Sequence, residues 1–266
     1  MALYQQINQR LLSFQSHSLT DLSKALLMER VDTKYLLPIT ELDPLLVDIS
    51  AHCTVLSIDE RRISHYKNSY FDSQDLRYYL DHHNGALNRY KVRCRTYVEQ
   101  DKSFLEVKLK NNKKRTIKTR IAVQQAGVNV LKQQQQFLKQ NGISEVEQSI
   151  EVQECHYQRI AFANEQSGER LTLDFDLSFI DPEHGQQVKI EDFVIIELKQ
   201  NVFNRHSNLF KLLRKRHLRA CNFSKYCIGL SLLRKNKIKQ NRFKEIFLRM
   251  KKITKKVKNQ QLMGSV

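Results

Sequence analysis

Nowhere in this 266-residue chain is there a run of about 18 apolar residues, so no helix is expected to cross a bilayer. Also missing is a charged segment leading into an apolar one at the start; Met1 opens a polar, glutamine-containing stretch, and a cytoplasmic protein is expected. The cysteines lack CxxC spacing. Cys53, Cys94, Cys155, Cys221 and Cys227 are odd in number and dispersed, which argues against a secreted disulfide framework and favours buried free thiols. No glycine-rich phosphate loop, dinucleotide-binding fingerprint or internal repeat is found. With 41% hydrophobic residues the chain can still bury a sizeable core, as one large barrel or two modest domains.

What is abundant is positive charge. Lys and Arg number 45 against 28 Asp and Glu, a formal charge of +17, which implies an anionic partner. Ser231 to Asn259 holds twelve of these cations and one Glu, so +11 sits in this tail and only +6 in the rest. In the body, the placement of the cations carries the information.

Helical patterns are expected over Leu3–Leu27, with Ser18 or Thr20 as a cap before Leu22, Leu26 and Leu27, and over Leu42–Ile49. Two helical insertions, Asp75–His83 (capped by Asp75, stopped by Gly85) and Val128–Asn141, interrupt a long region of period-two alternation. Leu209–Leu218 and the chain from Lys225 onward again look helical, with Gln260 to Val266 expected to be disordered. Eight strands are predicted: Arg30–Leu37, Arg62–Phe71, Asn88–Val98, Ser103–Lys110, Thr116–Val123, Ile150–Phe162, Arg170–Phe179 and Phe193–Gln200. With little helix between them, they point to a meander or barrel.

These strands have one charged and one apolar face. Lys91, Arg93, Arg95 and Tyr97 oppose Tyr90, Val92, Cys94 and Val98; Glu106, Lys108 and Lys110 oppose Leu105, Val107 and Leu109. Glu197 and Lys199 oppose Val194, Ile196 and Leu198. Arg170, Thr172, Asp174 and Asp176 share a face, as do Arg30, Asp32 and Lys34. Two arrangements are compatible with this. Charged faces can meet water over an apolar core, as in most antiparallel sheets; or helices cover the apolar faces and the charges point inward, into a wet lumen occupied by anions, because unpaired buried ions cost several kcal/mol each. In the second case Arg forks and Lys ammonium groups from several strands would surround a phosphate chain. Glu106, Glu197 and Asp32 would then either pair with neighbouring cations or ligate Mg2+ or Mn2+.

The stretches Arg30-Val-Asp-Thr-Lys34-Tyr35, Tyr70-Phe-Asp72-Ser-Gln-Asp75-Leu, Asn88-Arg-Tyr-Lys91-Val-Arg93-Cys-Arg95, Phe104-Leu-Glu106-Val-Lys108, Thr116-Ile-Lys118-Thr-Arg120, Arg159 with Arg170, Ile196-Glu197-Leu-Lys199 and Phe223-Ser224-Lys225-Tyr226 resemble, in order from about residue 20 to 230, the VTC (vacuolar transporter chaperone) domain family. That family is a branch of the triphosphate tunnel metalloenzymes, which also include CYTH proteins. The resemblance implies an α+β fold, an eight-stranded antiparallel β-barrel forming a triphosphate tunnel with helices packed outside and at both termini. It implies ATP-dependent polyphosphate synthesis with Mn2+ or Mg2+, by a phosphotransferase. By resemblance, Lys34, Arg93, Arg95, Lys108 and Lys199 are the catalytic cations; Arg30, Lys91, Lys118, Arg120, Arg159, Arg170 and Lys225 bind phosphates; Glu197, and less directly Glu106, hold the metal. Tunnel triphosphatases begin with Glu-x-Glu-x-Lys, whereas Arg30-x-Asp32-x-Lys34 stands here, which removes one candidate ligand and favours holding a phosphate chain over hydrolysing it.

The expected organisation is a helical segment at 1–28, a catalytic barrel at 29–230 and a basic amphipathic helix and tail at 231–266. In the tail, Phe243, Ile246, Phe247, Met250, Ile253 and Val257 recur at helical spacing. This stripe can dock on the barrel, or the basic helix can meet a membrane surface, a membrane-protein partner or emerging polyphosphate, placing the protein peripherally at the inner face of a membrane. His82 and His83, adjacent on a helix, diverge by about 100° and do not chelate together; they are expected at the surface or lumen edge. A tunnel triphosphatase or polyphosphatase is the alternative enzyme. A non-enzymatic polyanion-binding protein is the other alternative, although no nucleic-acid-binding motif is present.

Overall fold

The computed structural model describes residues 2–21, 30–113, 115–124 and 129–263. The strands in chain order are β1 (Ser16–His17), β2 (Val31–Pro38), β3 (Thr54–Leu56), β4 (Ser64–Ser73), β5 (Arg89–Tyr97), β6 (Lys102–Lys110), β7 (Thr116–Val123), β8 (Ser149–Asn164), β9 (Glu169–Ile180), β10 (Gln187–Ile190) and β11 (Phe193–Gln200). The helices are α1 (Ala2–Leu12), α2 (Leu42–Ser50), α3 (Arg77–Asn84), α4 (Asn129–Gln133), α5 (Gln135–Gln140), α6 (Asn208–Lys215), α7 (Lys225–Leu233) and α8 (Lys244–Met263). All eight predicted strands are present, and they pair antiparallel in the order β2-β11-β9-β8-β4-β5-β6-β7. The short β10 adds to β9, β3 to β8 and β1 to β3.

The sheet is strongly curled. Lys108 on β6 lies within the field of Glu197 on β11, five strands away along that order. Neighbouring strands are about 4.8 Å apart, so a flat sheet would separate these two by about 24 Å and extinguish the interaction. The curl does not finish as the closed barrel expected from the sequence. Among the described residues β2 and β7 do not pair, and the free edge of β2 is taken instead by Cys221, whose N–H donates to the Lys34 carbonyl at 2.8 Å.

Helices cover the outward apolar faces, which decides the question of which face points inward. α1, α2 and α6 bury Tyr35 and Leu37 of β2, Leu171 and Leu173 of β9, and Val194, Ile196 and Leu198 of β11. α4 and α5 do the same for Val92, Cys94, Leu105 and Val107 of β5 and β6. Each such side chain contributes roughly 1.5–3 kcal/mol of apolar burial, so these layers fix the orientation of every strand they cover. α7 packs on the inner face, against Leu36, Tyr157, Phe179, Phe193 and Ile195. α8 docks through Ile246, Met250 and Val257, the apolar stripe seen in the sequence, and leaves Lys251, Lys252, Lys255 and Lys258 in solvent. No helix among the described residues is long and apolar enough to cross a membrane.

Several expectations are corrected. The first helix ends at Leu12, because Ser16–His17 pairs with β3 and draws the chain into the sheet; Leu22, Leu26 and Leu27 lie outside the described residues. The second insertion divides into α4 and α5 at Gln134, and its first residue, Val128, is also outside them. The last helical region is broken at 234–240, and 260–263 continue α8. Asp75 does not cap α3; the buried Asp72 accepts from the N–H groups of Tyr78 (2.8 Å) and Tyr79 (2.9 Å), and from the Tyr226 hydroxyl. His83 is buried against Tyr79 and Phe243, not at the surface. All five cysteines are free thiols, Cys221 half-buried and the others buried.

Gly229 shows how tightly α7 is held. A Cβ there would stand 2.3 Å from a Phe179 ring carbon and 2.7 Å from Gln153 Oε1. Overpacking of this kind costs about 1–3 kcal/mol, while alanine regains about 1 kcal/mol of helix propensity. Gly229→Ala is therefore expected to lower stability by up to about 2 kcal/mol in urea unfolding; an unchanged or raised midpoint would show that α7 is not wedged into the inner face.

Candidate active site in the lumen

Because alternate side chains leave a strand on opposite faces, burying the apolar set outside turns the charged set inward. Three ion clusters result. On β5 to β7, Arg93 donates to Glu106 Oε2 through Nε (2.7 Å) and Nη2 (2.5 Å), and Lys118 closes on the other oxygen; Glu106 is 0% exposed. On β8 and β9, Arg159 grips Asp174 with two bonds of 2.5 and 2.7 Å, and Lys225 from the first turn of α7 joins them. On β2 and β11, Glu197 takes Lys199 at 2.5 Å and Lys34 at 3.6 Å, while Lys199 also reaches Thr172 Oγ1 at 3.2 Å.

The remaining inward cations have no acid. Arg95 donates to Asn68 Oδ1 at 3.0 Å and the Tyr157 hydroxyl at 3.3 Å, and lies 5.3 Å from the Tyr66 ring centre. Among the described residues Lys91 bonds only the Ser224 hydroxyl, at 2.9 Å. Lys108 has no hydrogen bond or ion pair among the described residues, and its cross-strand neighbours are Lys91 on one side and Lys118 on the other. A row of three lysines directly opposite one another is destabilising unless something anionic lies over it. Nine cations (Lys34, Lys91, Arg93, Arg95, Lys108, Lys118, Arg159, Lys199 and Lys225) thus face three carboxylates, Glu106, Asp174 and Glu197.

Protonation follows this field. Burial alone would raise the Glu106 carboxyl, but Arg93, Arg95 and Lys118 hold it well below the ordinary carboxylate range; Asp174 is held down the same way by Arg159 and Lys225, and Glu197 by Lys199 and Lys34. Burial, followed by the positive charge of Arg93 and Arg95, pushes the Lys108 ammonium well below its usual value. Burial pushes Lys91 down to about 8 and, reinforced by Lys91 and Arg89, takes His82 down to about 2, so this imidazole stays neutral, its Nε2 3.0 Å from the Tyr90 carbonyl oxygen.

Three sequence-predicted residues lie away from these clusters. Arg30 is exposed and pairs with Asp32 at 3.0 Å; Arg170 is half-buried and feels the Arg30 charge; Arg120 stacks over Phe104 at 4.8 Å. Arg30 and Arg170 thus lie at the starts of β2 and β9, and Arg120 lies within β7. Asp176, expected to share a face with Asp174, does not. A bulge in the β8–β9 pairing, with Asp176 at φ 51°, turns it away to accept from the Tyr4 hydroxyl of α1 at 2.5 Å. Asp174 and Tyr157 were not singled out as site residues, although Arg170-x-Thr172-x-Asp174 and Tyr157-x-Arg159 carry the same alternation that exposed the others. The α7 amino end, which brings Ser224 and Lys225 into the lumen, had no strand periodicity to reveal it.

A divalent cation suits this donor set in one way. Mg2+ and Mn2+ take hard oxygen ligands and are commonly carried by one or two carboxylates together with substrate phosphates. Glu197 keeps 17% of its side chain accessible and faces the lumen, whereas the side chains of Glu106 and Asp174 are 0% and 2% accessible. The one group of three metal-ligating side chains found among the described residues, Asp181, Glu183 and His184, belongs to the β9–β10 turn and not to the lumen.

Lys91 gives a pH test. Its folded value, about 8, lies below the 10.5 of a free lysine, so the unfolded chain binds more protons between those limits and the penalty for the buried ammonium is complete below about 8, fading as pH rises. Lys91→Met is expected to be more stable than the parent at pH 7, on the order of 2 kcal/mol, with the difference shrinking toward pH 10. A difference that does not vary with pH would place the ammonium in solvent.

Among solved structures, a proposed adenylate cyclase from Bacillus halodurans is similar over 74% of this chain and 94% of its own, with 14% identity and a TM-score of 0.49. A protein from Hippeastrum, described as a proposed adenylyl cyclase with a dominant triphosphatase activity, is similar over 76% and 95%, at 14% identity and TM-score 0.49. One from Vibrio parahaemolyticus, also a proposed adenylate cyclase, matches over 76% and 98% with 15% identity and TM-score 0.45. No protein of curated function matches the chain. The VTC domain family matches residues 29–234, the span that contains every strand of the lumen, and the chain therefore belongs to the VTC domain family.

Proposed function

We propose that this protein is a polyphosphate polymerase that transfers the γ-phosphoryl group of ATP to a growing phosphate chain within the lumen. The observation that carries the reading is the excess of six positive charges on an inward face, centred on the Lys91–Lys108–Lys118 row. A chain of phosphates supplies anionic oxygens on every side, and so satisfies cations arriving from five or more strands at once. Family membership supports the same reading.

In this mechanism Arg93, Arg95, Lys108, Lys34 and Lys199 hold the β- and γ-phosphates, with Lys91, Lys118, Arg159 and Lys225 extending the track; Arg30, Arg170 and Arg120, away from the clusters, receive substrate. Glu197 would hold Mn2+ or Mg2+, and Glu106 serves as the counter-ion that keeps Arg93 and Lys118 aimed inward. Bound metal would supply charge neutralisation at the transferring phosphoryl group. The attacking group is an anionic oxygen of a terminal phosphate, so no general base is required. Its lone pair forms the new P–O bond as the bond between the γ-phosphorus and the bridging oxygen breaks, and ADP departs with that electron pair. Protein catalysis here is positioning and charge stabilisation.

Incubation of the full chain with ATP and Mn2+ is expected to yield polymer, visible on a stained gel, and stoichiometric ADP. Orthophosphate without polymer would replace this reading with hydrolysis. Lys199→Ala and Arg93→Ala are each expected to lower kcat by about 10²–10³, and Glu197→Gln to abolish the response to added metal. Equal activity of Glu197→Gln at every Mn2+ concentration would remove Glu197 from metal binding.

A further inference from the structure

A second cavity, of about 430 Å3, opens on the outer side of β2. Thr33 and Tyr35 line it while Lys34, between them, faces the lumen, so strand alternation puts the two spaces on opposite sides of one strand. Tyr35, Phe203 and Phe210 form an aromatic floor, with Phe203 51% exposed and packed edge-on against Phe210 at 5.4 Å. Arg214, His217 and Arg219 form the rim.

The charges of this rim are uncompensated. No carboxylate lines the cavity, and none of the three side chains makes a hydrogen bond or ion pair among the described residues. Arg216, in the same stretch of chain, shows the alternative: it is engaged by Asp48 at 2.6 Å and by Glu41 at 3.6 Å. His217 is held at φ 57°, a conformation rare for a residue with a side chain, at the point where the chain leaves α6 for the rim.

Aromatic floor and cationic rim together select a ligand that is planar and apolar at one end and anionic at the other. The volume falls within the roughly 300–1,000 Å3 of small-molecule sites. Arg guanidinium groups suit phosphate oxygens bidentately, and exposed Phe rings suit base stacking. We propose that this cavity is a nucleoside monophosphate site outside the lumen, with the base against Phe203 and Phe210 and the phosphate between Arg214 and Arg219. It does not depend on polymerase activity. The two spaces are nevertheless physically joined, since the rim continues through Cys221 to the Phe223 carbonyl, which accepts from the Lys34 ammonium at 3.0 Å, and on to Ser224 and Lys225 in the lumen.

The test is calorimetric titration of AMP into the full chain with the lumen first saturated by inorganic tripolyphosphate, which has no base to stack. AMP is expected to bind with unit stoichiometry, and adenosine and ribose 5-phosphate to bind at least about tenfold more weakly. Phe203→Ala and the double change Arg214→Ala, Arg219→Ala should each weaken AMP by about tenfold or more while leaving tripolyphosphate affinity within about twofold. Absence of AMP binding in the parent chain, adenosine binding as tight as AMP, or AMP affinity untouched by both variants would each overturn the site. Failure of tripolyphosphate to bind would instead count against the proposed function, and the variants would still decide the outer site.

Discussion

Uncompensated positive charge on the concave face is the constraint around which the fold is arranged. Six cations in excess of their acids cannot be packed dry, because each unpaired buried ion costs several kcal/mol. They also cannot be turned outward, because the opposite faces of the same strands carry the leucines, valines and isoleucines that α1, α2, α4, α5 and α6 cover. The sheet therefore has to curl around a hydrated space. The three inward carboxylates reduce the mutual repulsion of the cations, and each does so from a position that aims a guanidinium or ammonium: Glu106 for Arg93, Asp174 for Arg159, Glu197 for Lys199. The two lysines with no acid, Lys91 and Lys108, are the ones whose charged forms burial disfavours, and they are where an incoming anion would gain most.

α7 gives the lumen its asymmetry. Placing a helix of mostly apolar residues against the inner face at Leu36, Phe193 and Ile195 converts one side of the cavity into core, and leaves the charged half as a defined track. The same placement brings the amino end of the helix to the cations. Ser224 caps it by accepting from the Cys227 N–H at 3.2 Å while taking the Lys91 ammonium on the same oxygen, and the partial positive charge of a helix start adds to the attraction for phosphate. Gly229 is what permits the helix to come so close, since any side chain there meets Phe179.

Strand existence and facing were legible because alternation is a local property. The pattern Lys91-x-Arg93-x-Arg95 reads the same whether or not its partners are known, and Lys34, Arg93, Arg95, Lys108 and Lys199 all come to the face that their spacing assigns. What could not be read were events that need two distant segments. The bulge that diverts Asp176 arises because two residues of β9, Asp176 and Leu177, stand opposite the single Tyr157 of β8. The capping of α3 by Asp72 in place of Asp75 depends on Leu76 entering the left-handed region and on Tyr226 arriving from α7 to share the carboxylate. The first helix stops at Leu12 because β3 offers Ser16 and His17 a partner. Tertiary pairing overrode local propensity in each case.

The unpaired seam between β2 and β7 bears on how the two faces of β2 communicate. A closed barrel would fix β2 on both edges by sheet hydrogen bonds. Here one edge is held by β11 and the other by a single bridge from Cys221, so the position of β2 depends on the segment from His217 to Phe223. That segment walls the outer cavity at Leu218 and Ala220 and meets the Lys34 ammonium at its far end. Lys34 in turn sits on Glu197, the carboxylate best placed for a metal. Any ligand that orders the outer cavity acts on an edge of the sheet that lacks a full ladder, and the displacement it can cause reaches the charged cluster on β11 through the hydrogen bond from Lys34 to Phe223 and the ion pair from Lys34 to Glu197.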